Sequence, residues 1–132
     1  MTIDPSSGVP VFNLSGNELS QSPNYTVDLA VEYVVHLSHG TITLRGESNW
    51  SDRVYFTPFN RDAVSQPAYN LQNAFVTYDS GDKHWRVALF AKNIGDKTIR
   101  SSAQISSSIV GSPIVGFLQP PRTYGATLGY RF

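Results

Sequence analysis

The sequence predicts an all-β protein, an antiparallel up-and-down meander of about six strands. Three observations predict it. Apolar and polar residues alternate with period two through most of the chain after residue 24. Tight-turn signals such as Ser38-His39-Gly40 and Ser80-Gly81-Asp82-Lys83 separate the alternating runs. No stretch carries a 3.6-residue period with helix caps.

Residues 1–24 form an irregular entry segment, punctuated by Pro5, Gly8, Pro10, Gly16 and Pro23. The first strand is expected over 25–37. Tyr25, Val27, Leu29, Val31, Tyr33, Val35 and Leu37 share one face there, with Asp28, Glu32 and His36 on the other. The second spans about 41–56, with Ile42, Leu44, Gly46, Ser48 and Trp50 on one face and Arg45 and Glu47 opposite. A loop follows, rich in Pro, Asn and Asp. The third strand, about 68–79, places Ala74, Val76 and Tyr78 on the apolar face, with Asn73 and Thr77 opposite. The fourth, about 84–93, carries Trp85, Val87, Leu89 and Ala91 on one side. Asn93-Ile94-Gly95-Asp96-Lys97 reads as a turn, and a fifth strand is expected over 98–109, with Ile99, Ala103, Ile105 and Ile109 on its apolar face. Residues 110–121 read as a loop. The last strand, 122–132, lines up Tyr124, Ala126, Leu128, Tyr130 and Phe132.

Composition narrows the function classes. The 132 residues include 10 Lys+Arg and 10 Asp+Glu, so the chain lacks the basic footprint of a nucleic-acid binder. There is no Cys, which excludes a disulfide framework, a Cys-ligated zinc and a thiol nucleophile. Charged residues are 15%, below the roughly 25% of ordinary soluble domains. The shortage points to a surface that partly faces something other than water.

Alternation alone leaves two architectures open. In a soluble lipocalin-like barrel or β-sandwich, a small-ligand-binding module, the apolar faces turn inward onto a core. In a transmembrane barrel they turn outward to lipid, and the polar faces line the lumen. The second is favoured by polar faces that mix charges with small hydroxyls, and by aromatics toward the ends of the apolar faces. Strand length agrees. Residues 25–37 extend about 43 Å, enough to cross about 30 Å of hydrocarbon at a tilt near 45°. Asp28, Glu32, Arg45, Glu47 and Arg131 are then lumen-facing candidates. Tyr25, Trp50, Tyr78 and Trp85 are candidates for aromatic girdles.

Several short motifs carry a family resemblance. Phe132 closes an alternating aromatic strand. Gly16-Asn17-Glu18-Leu19 precedes Pro23-Asn24-Tyr25-Thr26, and Tyr69-Asn70-Leu71-Gln72-Asn73-Ala74 opens the third strand. Trp85 through Lys97 reads as strand and turn, and Pro120-Pro121-Arg122-Thr123-Tyr124-Gly125 leads to Tyr130-Arg131-Phe132. In order and spacing these resemble the late barrel strands of TonB-dependent outer-membrane receptors. The resemblance spans about residues 12–132. Barrels of that class have about 22 strands, so it implies the C-terminal segment of a transmembrane β-barrel. The plug domain and TonB box are missing, as in a truncated gene or a fragment beginning at an internal Met.

The resemblance further implies a Gram-negative outer-membrane location and a part in uptake of a scarce ligand, of the ferric siderophore, cobalamin or glycan class. Implied partners are outer-membrane lipid and the barrel-assembly machinery. The latter would read Tyr124, Leu128, Tyr130 and Phe132. TonB would be reached only through the missing N-terminal part. No cofactor is implied. No catalytic motif is present: G-x-S-x-G, H-E-x-x-H and the P-loop pattern are absent. His36, His39 and His84 sit at strand ends or turns and read as interface or loop residues rather than metal ligands.

With six strands across the membrane and Phe132 in the periplasm, parity sends the turns near 38–40 and 80–83 and the 110–121 loop outside the cell. The 93–97 turn and the longer 57–67 loop then fall on the periplasmic side. The second of these sits badly with the short periplasmic turns such barrels have.

Overall fold

The computed structural model describes residues 2–3 and 10–132. Strands β1 (Thr2–Ile3) and β2 (Pro10–Val11) form a short antiparallel pair. β3 (Thr26–Leu37) and β4 (Gly40–Ser51) are twelve residues each and pair along their whole length. β5 (Val54–Tyr55) pairs with β6 (Ser65–Gln66), the latter entered through a single 3₁₀ turn at Asp62–Val64. β7 (Tyr69–Ser80) and β8 (Trp85–Lys92) follow as a hairpin. β9 (Arg100–Ile105), a 3₁₀ turn at Ser108–Val110, β10 (Ile114–Leu118) and β11 (Thr123–Tyr130) complete the chain.

The main sheet is antiparallel and five-stranded, in the order β11-β8-β7-β4-β3. The all-β meander expected from the alternation is therefore present, with differences in its membership. The expected fifth strand, 98–109, lies outside the sheet. Its ordered part, β9, pairs instead with β10, inside the stretch read as a loop. β11 then pairs directly with β8, placing Tyr124 opposite Ala91 and Tyr130 opposite Trp85. The expected second strand stops at Ser51 rather than Phe56, because Val54 and Tyr55 turn away to meet β6.

Local chemistry explains the excursion. Asn93 has a left-handed φ of 51° at the exit of β8. Its side chain donates to the carbonyls of Lys97 (2.9 Å) and Pro120 (3.3 Å) and accepts from Lys97 N–H (2.8 Å). Asp96 accepts from the N–H of Arg122 at 3.0 Å. The two ends of the excursion are thus held together, and β11 starts beside the end of β8.

All the sheet connections fall at two ends. The 38–39 and 81–84 turns lie at one end, with the end of β11. The 52–68 and 93–122 segments lie at the other. The buried apolar core lies in this second group rather than on the sheet. Val64, Ile99 and Ala103 are its buried hydrophobics, accompanied by buried Ser65, Gln66 and Asn93. Arg100 N–H donates to Gln66 Oε1 at 2.7 Å, and its guanidinium to Ser65 O at 3.1 Å. Ile99 O accepts from Gln119 N–H at 2.8 Å. The entry segment docks here too. Asn17 donates to Pro58 O, Gln21 to Tyr55 O, and Phe12 packs edge-on against Phe59.

Candidate functional site

The sheet's two faces are the candidate site. The ladder puts same-face residues side by side. Tyr33, Leu44, Val76, Leu89 and Ala126 form one row, and Val35, Ile42, Tyr78, Val87 and Leu128 the next. Among the described residues no second sheet covers this apolar face. Val31 is 64% exposed, Tyr33 66% and Leu128 67%. A contiguous apolar surface of this extent is far beyond what monomeric soluble proteins leave to water.

Aromatics on this face follow two oblique lines. Tyr33 on β3, Tyr78 on β7 and Tyr130 on β11 each lie two strands on and one same-face row nearer the turn end. With standard strand spacings, that line is inclined by about 35° to the ladder rows. Tyr25, Trp50 and Tyr124 define a second line near the loop end, inclined the same way by about 45°. Trp85 joins the first line, with its ring 4.7 Å from that of Tyr130, which meets Phe132 edge-on at 5.1 Å.

The opposite face carries the charges. Asp28 accepts from Asn49 at 2.7 Å, and Glu47 accepts from Asn73 at 3.2 Å. Arg45 reaches Glu47 at 2.9 Å and Glu32 at 3.9 Å, and Arg86 meets Asp79 at 3.6 Å. The network steps across four neighbouring strands. Apart from the half-buried Glu47, the charged groups of these ion pairs are largely exposed, so the pairs fix side-chain positions more than they stabilise the sheet. Asp28, Glu32, Arg45 and Glu47 thus lie together. Arg131 follows the last residue of β11, where its N–H donates to His84 O at 2.9 Å.

Sequence reasoning missed an apolar inset on this face. Phe75 and Phe90 stand directly opposite each other in the ladder, near Leu71, Pro120 and Pro121 around a cavity of about 470 Å³. Gly125 makes room for the Phe90 ring, since a Cβ there would come within 2.6 Å of it. Their alternation phase with Asn73 and Thr77 was the available signal. Also missed were Asn93, Asp96 and Gln66, which hold the two loop segments together. Asn93 and Asp96 stood within a turn motif but gave no indication of their distant partners.

Such a sheet, polar on one face and apolar on the other, has the two-faced pattern of a transmembrane barrel wall. The sequence matches no protein-family model and no curated protein. The fold, in contrast, is similar to that of the ferric yersiniabactin uptake receptor FyuA from Yersinia pestis. The TM-score is 0.77 at 19% identity, over 90% of this chain and 18% of that one. The chain therefore has the fold of part of a TonB-dependent receptor barrel, and spans less than a fifth of that receptor's length.

Proposed function

We propose that this chain is a wall-and-loop segment of a TonB-dependent outer-membrane receptor that takes up a scarce ligand. The observation that carries the reading is the uncovered apolar face, backed by a charged and hydrogen-bonded one. Membrane-barrel strands tilt by about 35–45°. At that tilt both oblique aromatic lines run parallel to the membrane plane. They are about 15–20 Å apart at the backbone, and outward-reaching rings bring them toward the roughly 25 Å of an outer-membrane apolar band. Tyr25, Trp50, Tyr78 and Trp85 act as girdle residues in this reading. Asp28, Glu32, Arg45, Glu47 and Arg131 face the lumen.

Five wall strands also change the orientation. With the end of β11 periplasmic, the short 38–39 and 81–84 turns are periplasmic. The long 52–68 and 93–122 segments are extracellular, the usual distribution for such barrels. The ligand class extends to ferric siderophores, cobalamin or glycans by resemblance, and the chain contributes wall and loops rather than chemistry. TonB engages another part of the whole receptor. Tyr124, Leu128 and Tyr130 lie along the edge strand β11 and Phe132 follows its end, and the four are proposed as the stripe read by the barrel-assembly machinery through β-augmentation.

The outer edges of β3 and β11 have no strand partner among the described residues. Unpaired backbone groups cost several kcal/mol each in hydrocarbon, which supports further strands completing the wall. The test is membrane insertion of the chain with Arg at position 31. Val31→Arg should cost about 2–4 kcal/mol near the bilayer midplane, whereas Thr77→Arg on the polar face should cost little. Recovery of the unmodified chain as a folded monomer in the aqueous fraction without detergent would overturn the reading.

A further inference from the structure

A cavity of about 630 Å³ sits at the loop end of β4 and β7, at the rim of the apolar face. Tyr25 and Trp50 line its apolar side, with Asn70, which pairs with Trp50 across the ladder. Tyr25 keeps the alternation of β3, because its carbonyl accepts from Asp52 N–H at 3.1 Å and so continues the ladder. Lys97 and Arg100, with Thr98, line the side formed by the excursion after β8. Among the described residues no Asp or Glu lines the cavity. Neither cation takes part in an ion pair among the described residues. The Arg100 guanidinium hydrogen-bonds through one nitrogen to the carbonyls of Ala63 and Ser65, which tethers it beside the cavity and leaves its other nitrogens without a bonded partner among the described residues.

Two cations without a counter-charge call for an anion. Two amphipathic rings, where the wet loops meet an apolar face, call for a molecule that is polar at one end and apolar at the other. We propose that this cavity binds the phosphomonoester headgroup of a membrane lipid. Lys97 and Arg100 hold the phosphate, and Tyr25 and Trp50 flank its apolar stem. A guanidinium suits a phosphate geometrically, and an ammonium serves as a point charge beside it. The site rests on the reading that the apolar face meets lipid.

The chain has two Trp residues, so Trp85→Phe leaves Trp50 as a reporter at the cavity. That variant is inserted into phosphatidylcholine vesicles, plain or doped with phosphatidic acid, a phosphomonoester lipid. Dose-dependent change of Trp50 emission with phosphatidic acid is expected. Lys97→Gln and Arg100→Gln should each raise the half-saturating mole fraction by about fivefold. Lys83→Gln, at the opposite end, should leave it unchanged. Lys97→Gln serves if Arg100→Gln loosens the loops, because among the described residues no hydrogen bond of the Lys97 ammonium supports them.

An equal response to inorganic phosphate over plain vesicles would overturn the lipid assignment, as would insensitivity to Lys97→Gln. Brominated acyl chains separate the two readings. Quenching of Trp50 with no response to phosphatidic acid overturns this site and leaves the barrel wall intact. Absence of quenching in either vesicle overturns the wall and the site together.

Discussion

Tyr124 stands directly opposite Ala91 in the ladder, with residues 93–122 excluded from the sheet between them. That single pairing sets the number of wall strands at five. It gathers the long connections at one end and the short turns at the other. In the proposed barrel it also turns an awkward orientation into an ordinary one.

Orientation is open to labelling, because the chain contains no cysteine of its own. With the chain assembled in the outer membrane of intact cells, a membrane-impermeant maleimide should modify Arg61→Cys and spare His39→Cys. The opposite pattern is what a sixth wall strand at 98–109 would give.

Two glycines on β4 should respond differently to an added methyl group. At Gly40 a Cβ would lie 2.4 Å from the Asp79 carbonyl oxygen and 2.7 Å from the Tyr78 ring. Backbone there has little room to give, so Gly40→Ala should destabilise by about 1–3 kcal/mol. At Gly46 a Cβ meets nothing within 4 Å. Gly46→Ala should be neutral, or stabilising by up to about 1 kcal/mol through lost unfolded-state freedom. Urea unfolding in detergent micelles, followed by tryptophan emission, measures both.

Asn93 is 4% exposed, and its side chain makes three hydrogen bonds to the backbone of Lys97 and Pro120. Asn93→Ala removes three hydrogen bonds made by a buried side chain, with an expected loss of about 2–3 kcal/mol. The loss should concentrate in the excursion, so limited proteolysis should cut first within 106–119. Cleavage spread evenly over the chain would count against a local role.

The 81–84 turn carries a pH signature. The Asp82 carboxylate is held below its ordinary range, first by the Ser80 hydroxyl and then by the His84 N–H. A depressed folded value means that the stabilising contribution is present above about pH 4 and is lost as pH falls through the folded value. The stability difference between the wild-type chain and Asp82→Asn should therefore shrink on acidification below about pH 4. Ser80→Ala should move the Asp82 titration, followed by carboxyl carbon shifts, back toward the ordinary value. A titration unmoved by Ser80→Ala would remove the hydroxyl as the cause.

Much of the site was legible in the residues. Period-two alternation in Thr26–Leu37 assigns Val31 and Glu32 to opposite faces whatever the pairing, because successive side chains on a strand point to opposite sides. The gathering of Asp28, Glu32, Arg45 and Glu47 needed only that β3 and β4 form a hairpin, which Ser38-His39-Gly40 signalled. The Phe75–Phe90 inset was less visible, because two neighbours must be seen across a ladder before two isolated aromatics become a patch.

By itself, the sequence determined the all-β class, the two-faced strands and the tight turns, since alternation and turn chemistry are local properties. Tertiary structure decided which alternating segments belong to the main sheet. Residues 98–109 alternate much as wall strands do. Yet the Asn93–Pro120 and Asp96–Arg122 bonds close the excursion at its base and bring β11 to β8. Strand pairing depends on where distant backbone groups meet, and hydrogen bonds between residues more than twenty positions apart leave no period in the chain to be read.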